Sequence, residues 1–134
     1  MLGAHYRLAC PVGYCATDDE LTRLTSLGSG TVDQSTDPVV AVRGAHAIHT
    51  DTWVSMGQEA EKAERLGIFG AYTVTESLMS KAASDAIFMH CLPAYRGYEV
   101  EASVIDGSGS RVIEQGHNRL HSARGAMAFL LGVK

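Results

Sequence analysis

The sequence predicts an α/β fold with a parallel sheet and helices on both of its faces. Short apolar segments typical of buried strands alternate with segments of helical periodicity along most of the chain. The connections are short, and strands that alternate with helices in this way join through right-handed crossovers and pair in parallel. The chain has 134 residues, of which 46% are hydrophobic and 19% charged, which suits one domain with its own core.

The first residues already show this alternation. Residues 5–10 predict a strand that stops at Pro11, because proline cannot continue a strand ladder. Asp18 and Asp19 offer N-cap carboxylates for a helix that ends near Gly28. The same patterns then predict a strand at 31–35, a helix that begins at Thr36-Asp37-Pro38 and ends near Gly44, a strand at 45–50, a helix at 58–66, a helix capped by Thr75 and running to 82, strands at 85–90 and 111–113, and a final helix at 115–131.

Composition argues against several classes of protein. The formal net charge is -4 and basic residues do not cluster, which argues against a nucleic-acid-binding protein. No apolar run approaches the roughly 18 residues of a membrane span, and the first residues lack the layout of a signal peptide, so we expect a cytoplasmic protein. Three cysteines at irregular spacing, Cys10, Cys15 and Cys91, fit reduced thiols better than a disulfide framework.

Two loops that follow predicted strands are the places to search for a site. In open parallel sheets, ligands bind outside the carboxyl ends of the strands. Residues 51–57 follow the strand at 45–50, and residues 91–96 follow the strand at 85–90. Taken singly, Asp51 would be typical of a turn or helix cap, and Cys91 of an inert buried thiol. Their functional interpretation depends on the motifs around them.

Three segments together resemble ornithine carbamoyltransferase. They read Asp-Thr-Trp-Val-Ser-Met-Gly-Gln-Glu at 51–59, His-Cys-Leu-Pro at 90–93 and Asn-Arg at 118–119, in the family's order and at similar spacing. The resemblance covers essentially all of residues 1–134. It implies a Rossmann-like sheet and identifies the chain as the ornithine-binding (Asp/Orn) domain of the aspartate/ornithine carbamoyltransferase superfamily.

The resemblance also implies an activity and an ornithine site. In this family the side-chain amine of L-ornithine attacks the carbonyl of carbamoyl phosphate and gives L-citrulline and phosphate. By resemblance, Asp51 binds the α-amino group of ornithine, and a carboxylate suits that task because it forms a charge-assisted hydrogen bond. Ser55 and Met56 would contact the rest of the amino acid.

The other motif residues are implied at the carbamoyl group. Cys91 would be the catalytic residue, and with Leu92 it would border both substrates and hold the carbamoyl group. Arg119 would contact carbamoyl phosphate, for which the planar guanidinium is suited. The resemblance implies no cofactor. It implies ornithine and carbamoyl phosphate as small-molecule partners, and neither nucleic acid nor a membrane. Full-length members of the family are homotrimers.

Histidines give little support to a metal site. His46 and His49 lie three apart in a predicted strand and would point to opposite faces. His90 beside Cys91 could take zinc only adventitiously, since a set of four ligands is not visible in the sequence. We therefore expect no resident metal.

Several family features are altered or missing. Tyr95 stands where a histidine is common, and Gly116-His117 replaces the usual Ala-Glu. Residues 1–134 also lack the Ser-Thr-Arg-Thr-Arg and His-Pro-x-Gln segments of the N-terminal carbamoyl-phosphate domain, and the strand and helix that open the second domain, with an asparagine that helps to bind ornithine. We expect a sheet incomplete at its N-terminal edge, a marginal fold in isolation, and no activity without the N-terminal half.

Two alternative functions remain open at this point. The chain could be a non-catalytic amino-acid-binding fragment that keeps the ornithine contacts but performs no chemistry. It could also belong to a carbamoyltransferase for another amine, such as putrescine or acetylornithine. The Ser55-Met56-Gly57 loop favours ornithine, because the resemblance there is to ornithine-specific members.

Overall fold

The computed structural model describes residues 3–55 and 57–133. The described residues form strands and helices in alternation along the chain. In order they are β1 (Tyr6–Ala9), α1 (Asp18–Thr25), β2 (Val32–Ser35), α2 (Pro38–Val42), β3 (Ala47–Thr50), α3 (Lys62–Phe69), α4 (Glu76–Met79), β4 (Ile87–His90), α5 (Ala102–Ile105) and α6 (Val112–Leu130). Single turns of 3-10 helix flank α3, at Glu59–Glu61 and Gly70–Tyr72.

The strands form two separate parallel pairs. β1 pairs with β2, with Tyr6 opposite Val32, and β3 pairs with β4, with Ala47 opposite Ile87. Helices connect the strands, as parallel pairing requires. The predicted α/β class with parallel strands is therefore confirmed. In the described part of the chain, however, the two pairs are not joined into one sheet.

The hydrophobic core lies around β3 and β4. Ile48 comes from β3 and Phe88 from β4, and Phe88 is only 1% exposed. Apolar side chains from α2, α4, α5, the start of α6 and the nearby loops pack around them: Val42, Val74, Leu78, Val100, Val104, Ile105 and Val112. Burial of such side chains supplies most of the favourable free energy of folding, so this half of the chain carries the stability.

The β1–β2 half is thinly packed by comparison. All residues of β1, α1 and β2 are described, and none of them is buried. Local hydrogen bonds hold this half instead. Thr17 caps α1, because its hydroxyl accepts from the Glu20 N–H at 3.3 Å while the Glu20 carboxylate accepts from the Thr17 N–H at 2.8 Å.

One edge of β1 and one edge of β3 have no strand partner in the described residues. The N–H groups of Tyr6 and Cys10 donate toward β2, so the N–H groups of Arg7 and Ala9 point to the opposite edge. In β3 the same alternation turns the backbone N–H groups of Ala47 and His49 away from β4. Unpaired edges of this kind are ready to accept a further strand.

Some sequence predictions need correction. The N-cap of α1 is Thr17, so Asp18 and Asp19 lie in the first turn, where carboxylates favour the positive end of the helix dipole. The predicted strand at 111–113 is wrong, because only Ser110 forms a bridge with β4 and α6 already begins at Val112. Val112 is buried, and helical backbone there places its side chain in the core.

Candidate functional site

The carboxyl ends of β3 and β4 bring Asp51 and Cys91 together. Thr50 and His90 are paired across the two strands, so the residues that follow them leave the sheet side by side. One carboxylate oxygen of Asp51, one ring nitrogen of His90 and the sulfur of Cys91 all lie within 4.8 Å of one another. The two predicted loops therefore meet at one site.

Asp51 and Cys91 shift each other's pKa in opposite directions. The Cys91 thiol donates to the Asp51 carboxylate and is the main cause that lowers the pKa of Asp51 below its usual 3.8, while burial opposes this. Burial raises the pKa of Cys91 above its usual 9.0, and the hydrogen bond to Asp51 and its charge raise it further. At neutral pH the site therefore holds an ionised carboxylate, suited to a cationic ligand, and a protonated thiol that acts as a hydrogen-bond donor.

Arg119 reaches the same site from α6. Its Nη1 donates to the Cys91 carbonyl oxygen at 3.0 Å. Its positive charge also acts to lower the pKa of Cys91, against the larger effects of burial and Asp51. A guanidinium has five N–H donors, and this contact uses one of them. Its other donors have no hydrogen-bond partner in the part of the chain that the structure describes, so they could meet the oxygens of an anion such as a phosphate.

A buried histidine and a buried glutamate hold the backbone after Cys91. His90 and Glu99 are each only 1% exposed. The Leu92 N–H donates to His90 Nδ1 at 2.8 Å, and the Tyr95 N–H donates to Glu99 Oε1 at 2.6 Å. Leu92 has a φ of 58°, in the left-handed region that non-glycine residues rarely adopt. These two hydrogen bonds therefore stabilise the turn that presents Cys91 and Leu92.

The hydrogen bond from the Leu92 N–H fixes which nitrogen of the His90 ring carries the proton. Because Nδ1 accepts, the ring proton must be on Nε2. Nε2 lies 3.3 Å from Glu99 Oε1, but it is not aligned for a hydrogen bond, so this contact is electrostatic. Nδ1 is therefore engaged in a hydrogen bond, while Nε2 has no hydrogen-bond partner among the described residues. Although Asp51, His90 and Cys91 are close enough to share a metal ion, this donor set does not fit a four-ligand zinc site.

The described contacts of Trp53 and Ser55, in the loop after β3, are with residues outside the site. Ser55 is exposed, and its N–H donates to Gln58 Oε1 at 3.2 Å. Met56 lies outside the described residues. Trp53 stacks on Phe69 of α3 with ring centroids 5.8 Å apart, so it packs the loop against that helix. Asp51, Cys91 and Arg119 are thus brought together, whereas the described contacts of Ser55 remain within its own loop.

Sequence reasoning did not assign roles to His49, Glu99 or Gln115. Burial lowers the pKa of His49, and its Nε2 lies 3.2 Å from Gln115 Nε2 at the start of α6. Glu99 supports the turn after Cys91 from nine residues beyond His90. The position of Glu99 between the apolar residues Tyr98 and Val100 is a sequence signal that could have marked it as a buried carboxylate.

Comparison with known proteins identifies the chain's relatives. A family model for the Asp/Orn binding domain of aspartate/ornithine carbamoyltransferase matches residues 1–130.

The chain belongs to this carbamoyltransferase family.

Individual carbamoyltransferases are similar to this chain in sequence and in structure. The ornithine carbamoyltransferase of Clavibacter michiganensis subsp. michiganensis is 49% identical over 132 residues, which cover 96% of this chain and 43% of that protein. The structure of ornithine carbamoyltransferase from Pyrococcus furiosus has a TM-score of 0.85 at 42% identity, over 95% of this chain and 42% of that one. Anabolic ornithine carbamoyltransferase from Campylobacter jejuni gives a TM-score of 0.89 at 31% identity, over 99% of this chain and 45% of that one.

This carbamoyltransferase chain spans less than half the length of the relatives it matches. Within residues 3–55 and 57–133, no helix is both long enough and apolar enough to cross a membrane.

Two departures from the family's motifs can be placed in the structure. Tyr95 stacks with Tyr98 at a centroid distance of 6.0 Å. Gly116 lies in the first half of α6, three residues before Arg119.

Proposed function

We propose that this chain is the ornithine-binding part of an ornithine carbamoyltransferase and that turnover needs the carbamoyl-phosphate-binding part of the enzyme. The enzyme would convert carbamoyl phosphate and L-ornithine to L-citrulline and phosphate. The observation that carries the proposal is the convergence of the Asp51 carboxylate, the Cys91 thiol and the Arg119 guanidinium at the carboxyl ends of two parallel strands.

Asp51 would anchor ornithine by its α-amino group. The lowered pKa of Asp51 keeps this carboxylate ionised at neutral pH, and a charged α-ammonium group is its natural partner. Ser55 and Met56 would contact the rest of the amino acid, as the resemblance implies. Anchoring at the α-carbon leaves the side-chain amine free to point toward Cys91. That amine must be uncharged when it attacks.

Cys91 and Leu92 would hold the carbamoyl group for the attack. The amine nitrogen forms a bond with the carbonyl carbon, the bond from that carbon to the phosphate oxygen breaks, and the amine loses a proton. The raised pKa of Cys91 favours a thiol that donates a hydrogen bond over a thiolate that attacks carbon. Catalysis would then rest on positioning and on stabilising developing charge, with Arg119 meeting the phosphate.

Exposed edges and faces support the need for a second part. The open edges of β1 and β3 could accept a parallel strand between the two pairs, which would join them into one sheet. Of the described residues of α6, Val112 alone is buried, while Leu120, Met127 and Phe129 are exposed. We propose that residues outside this chain cover these surfaces, and that the complete enzyme is a cytoplasmic homotrimer.

Calorimetry with L-ornithine tests the site, and a citrulline assay tests the activity. The expected result is binding by the chain, loss of binding in Asp51→Asn, and retention in Trp53→Phe, which is the matched control from the same loop. Citrulline should form only when the carbamoyl-phosphate-binding half is added. Robust turnover by the chain alone would refute the requirement for that half, and equal binding by wild type and Asp51→Asn would refute the role of Asp51.

The same measurement separates the alternative amines. Acetylornithine lacks a charged α-amino group and should compete poorly with ornithine at a site anchored by Asp51. Putrescine keeps a charged amine but lacks the α-carboxylate, so it should compete poorly only if the rest of the loop binds that carboxylate. Binding of ornithine that persists without turnover, even after the other half is supplied, would favour a non-catalytic binding module. Stronger binding of acetylornithine or putrescine would assign the chain to a different carbamoyltransferase.

A further inference from the structure

Cys10 and Cys15 form a close pair of thiols away from Cys91. The Cys10 thiol donates to Cys15 Sγ at 3.4 Å, and Cys15 in turn donates to the Pro11 carbonyl oxygen at 3.5 Å. A tight turn brings them together: the Tyr14 N–H donates to Pro11 O at 3.0 Å, and Gly13 has a φ of 90° that suits glycine. The two sulfurs would need to approach by about 1.4 Å to reach a bonding distance of about 2.05 Å.

The pair is accessible to small molecules. Both cysteines are half-buried, and the turn between them is exposed, with Val12 84% and Tyr14 41% accessible. Burial and the neighbouring Cys15 raise the pKa of Cys10 to about 11, so Cys10 holds its proton and donates it toward Cys15. Cys15 Sγ accepts this hydrogen bond.

The turn is connected through aromatic rings to the loop that follows β3. Tyr14, adjacent to Cys15, makes an edge-to-face contact with Phe69 at a centroid distance of 4.7 Å. Phe69 in turn stacks on Trp53 at 5.8 Å, and Trp53 lies two residues after Asp51. Arg65 also spans both sides, because its guanidinium lies 5.7 Å from the Tyr14 ring and donates to the Trp53 carbonyl at 3.4 Å.

We propose that Cys10 and Cys15 are a reversible dithiol–disulfide site whose oxidation by a small-molecule disulfide is transmitted through Tyr14 and Phe69 to Trp53. Cys15, as its thiolate, attacks one sulfur of the small disulfide, forms a mixed disulfide and expels one small thiolate. Cys10, after losing its proton to solvent, attacks the Cys15 sulfur and expels the second. Two protein thiols are oxidised, and one small disulfide is reduced to two thiols.

Closure of the bond would move Tyr14 relative to Phe69. The ring of Tyr14 sits on the residue next to Cys15, so an approach of the two sulfurs displaces the contact on which Trp53 is stacked. The chain contains a single tryptophan, so its fluorescence reports on this loop alone. This readout does not depend on ornithine or on catalysis, and its failure is distinguishable from failure of the proposed function.

Glutathione disulfide is the probe. The chain has three cysteines. The treated chain should therefore take up one N-ethylmaleimide instead of three, peptide mapping should show a Cys10–Cys15 link, and the Trp53 emission should shift and return after reduction with dithiothreitol. Cys91→Ser, the matched control, should show the same shift. Cys15→Ser and Cys10→Ser should each abolish it, and far-ultraviolet circular dichroism checks that these variants remain folded.

Tyr14→Leu tests the coupling separately, since the disulfide should form while the Trp53 emission stays constant. Full uptake of three N-ethylmaleimide groups after treatment, a link that involves Cys91, or a stable mixed disulfide with glutathione would overturn the proposal. Formation of the Cys10–Cys15 bond without any change at Trp53 in the wild-type chain would overturn it equally.

Discussion

Replacement of the buried Glu99 by alanine should strongly destabilise the chain. The change removes the acceptor of the Tyr95 N–H, which lies 2.6 Å from Glu99 Oε1, and the electrostatic partner of His90 Nε2 at 3.3 Å. The Tyr95 N–H loses its acceptor, at about 1–3 kcal/mol, whereas His90 Nε2 already lacks a hydrogen-bond partner among the described residues. Truncation of this fully buried side chain also leaves a cavity, so we expect Glu99→Ala to cost about 2–4 kcal/mol in all.

Glu99→Gln is the matched control. Oε1 makes both contacts, while Oε2 has no hydrogen-bond partner among the described residues, so glutamine can keep the acceptor where it is needed. The glutamine NH2 group would take the place of Oε2 and would have no hydrogen-bond acceptor there. We expect this to lower the free energy of unfolding by about 1–2 kcal/mol. Urea denaturation followed by circular dichroism measures both free energies of unfolding. A loss below about 1 kcal/mol in Glu99→Ala, or equal losses in both variants, would refute this assignment.

Other predictions concern the helices and the core. Gly116→Ala and Gly125→Ala should each stabilise the chain by about 0.5–1 kcal/mol, because a Cβ at either position meets no neighbouring atom within 4 Å and helical glycine is costly; an unchanged or lower melting temperature would contradict this. Thr17→Ala should cost about 1 kcal/mol through loss of the α1 cap. The Thr17 N–H lowers the pKa of Glu20 below 4.5, so the stability that this carboxylate contributes is present above pH 4.5 and lost as the pH falls below it. Urea denaturation at pH values from 7 to 3 measures this loss, and the loss would not appear if the contact were absent. Phe88→Ala should cost about 3–5 kcal/mol, since Phe88 fills the centre of the core, and a loss below about 1 kcal/mol would contradict its placement there.

Local signals in the sequence predicted most elements because their causes are local. The Thr36-Asp37-Pro38 segment predicted a helix start, and Asp37 does cap α2 by accepting from the Val39 N–H at 2.8 Å. The cap of α1 was misassigned although the Thr17 and Glu20 pair was visible, because two neighbouring aspartates offered an alternative of the same chemistry.

Contacts between distant residues were beyond the reach of sequence patterns. The convergence of Asp51 and Cys91 could be expected, since it follows from parallel strands and their carboxyl ends. The role of Glu99 could not, because it depends on how the turn after His90 folds back onto β4. The start of α6 was placed too late because burial of Val112, a tertiary effect, overrides the β propensity of valine and isoleucine at 112–113.

The central claim is that the Asp51 carboxylate and the Cys91 thiol share one site, and the pKa of Cys91 tests it most directly. In a Cys10→Ser, Cys15→Ser background, the rate of alkylation by iodoacetamide as a function of pH reports on Cys91 alone. Because Asp51 raises the pKa of Cys91 by accepting from it and by its charge, Asp51→Asn should shift this profile to lower pH, while Asp106→Asn, a carboxylate paired with Arg96, should leave it in place. An unchanged profile in Asp51→Asn would contradict the shared site.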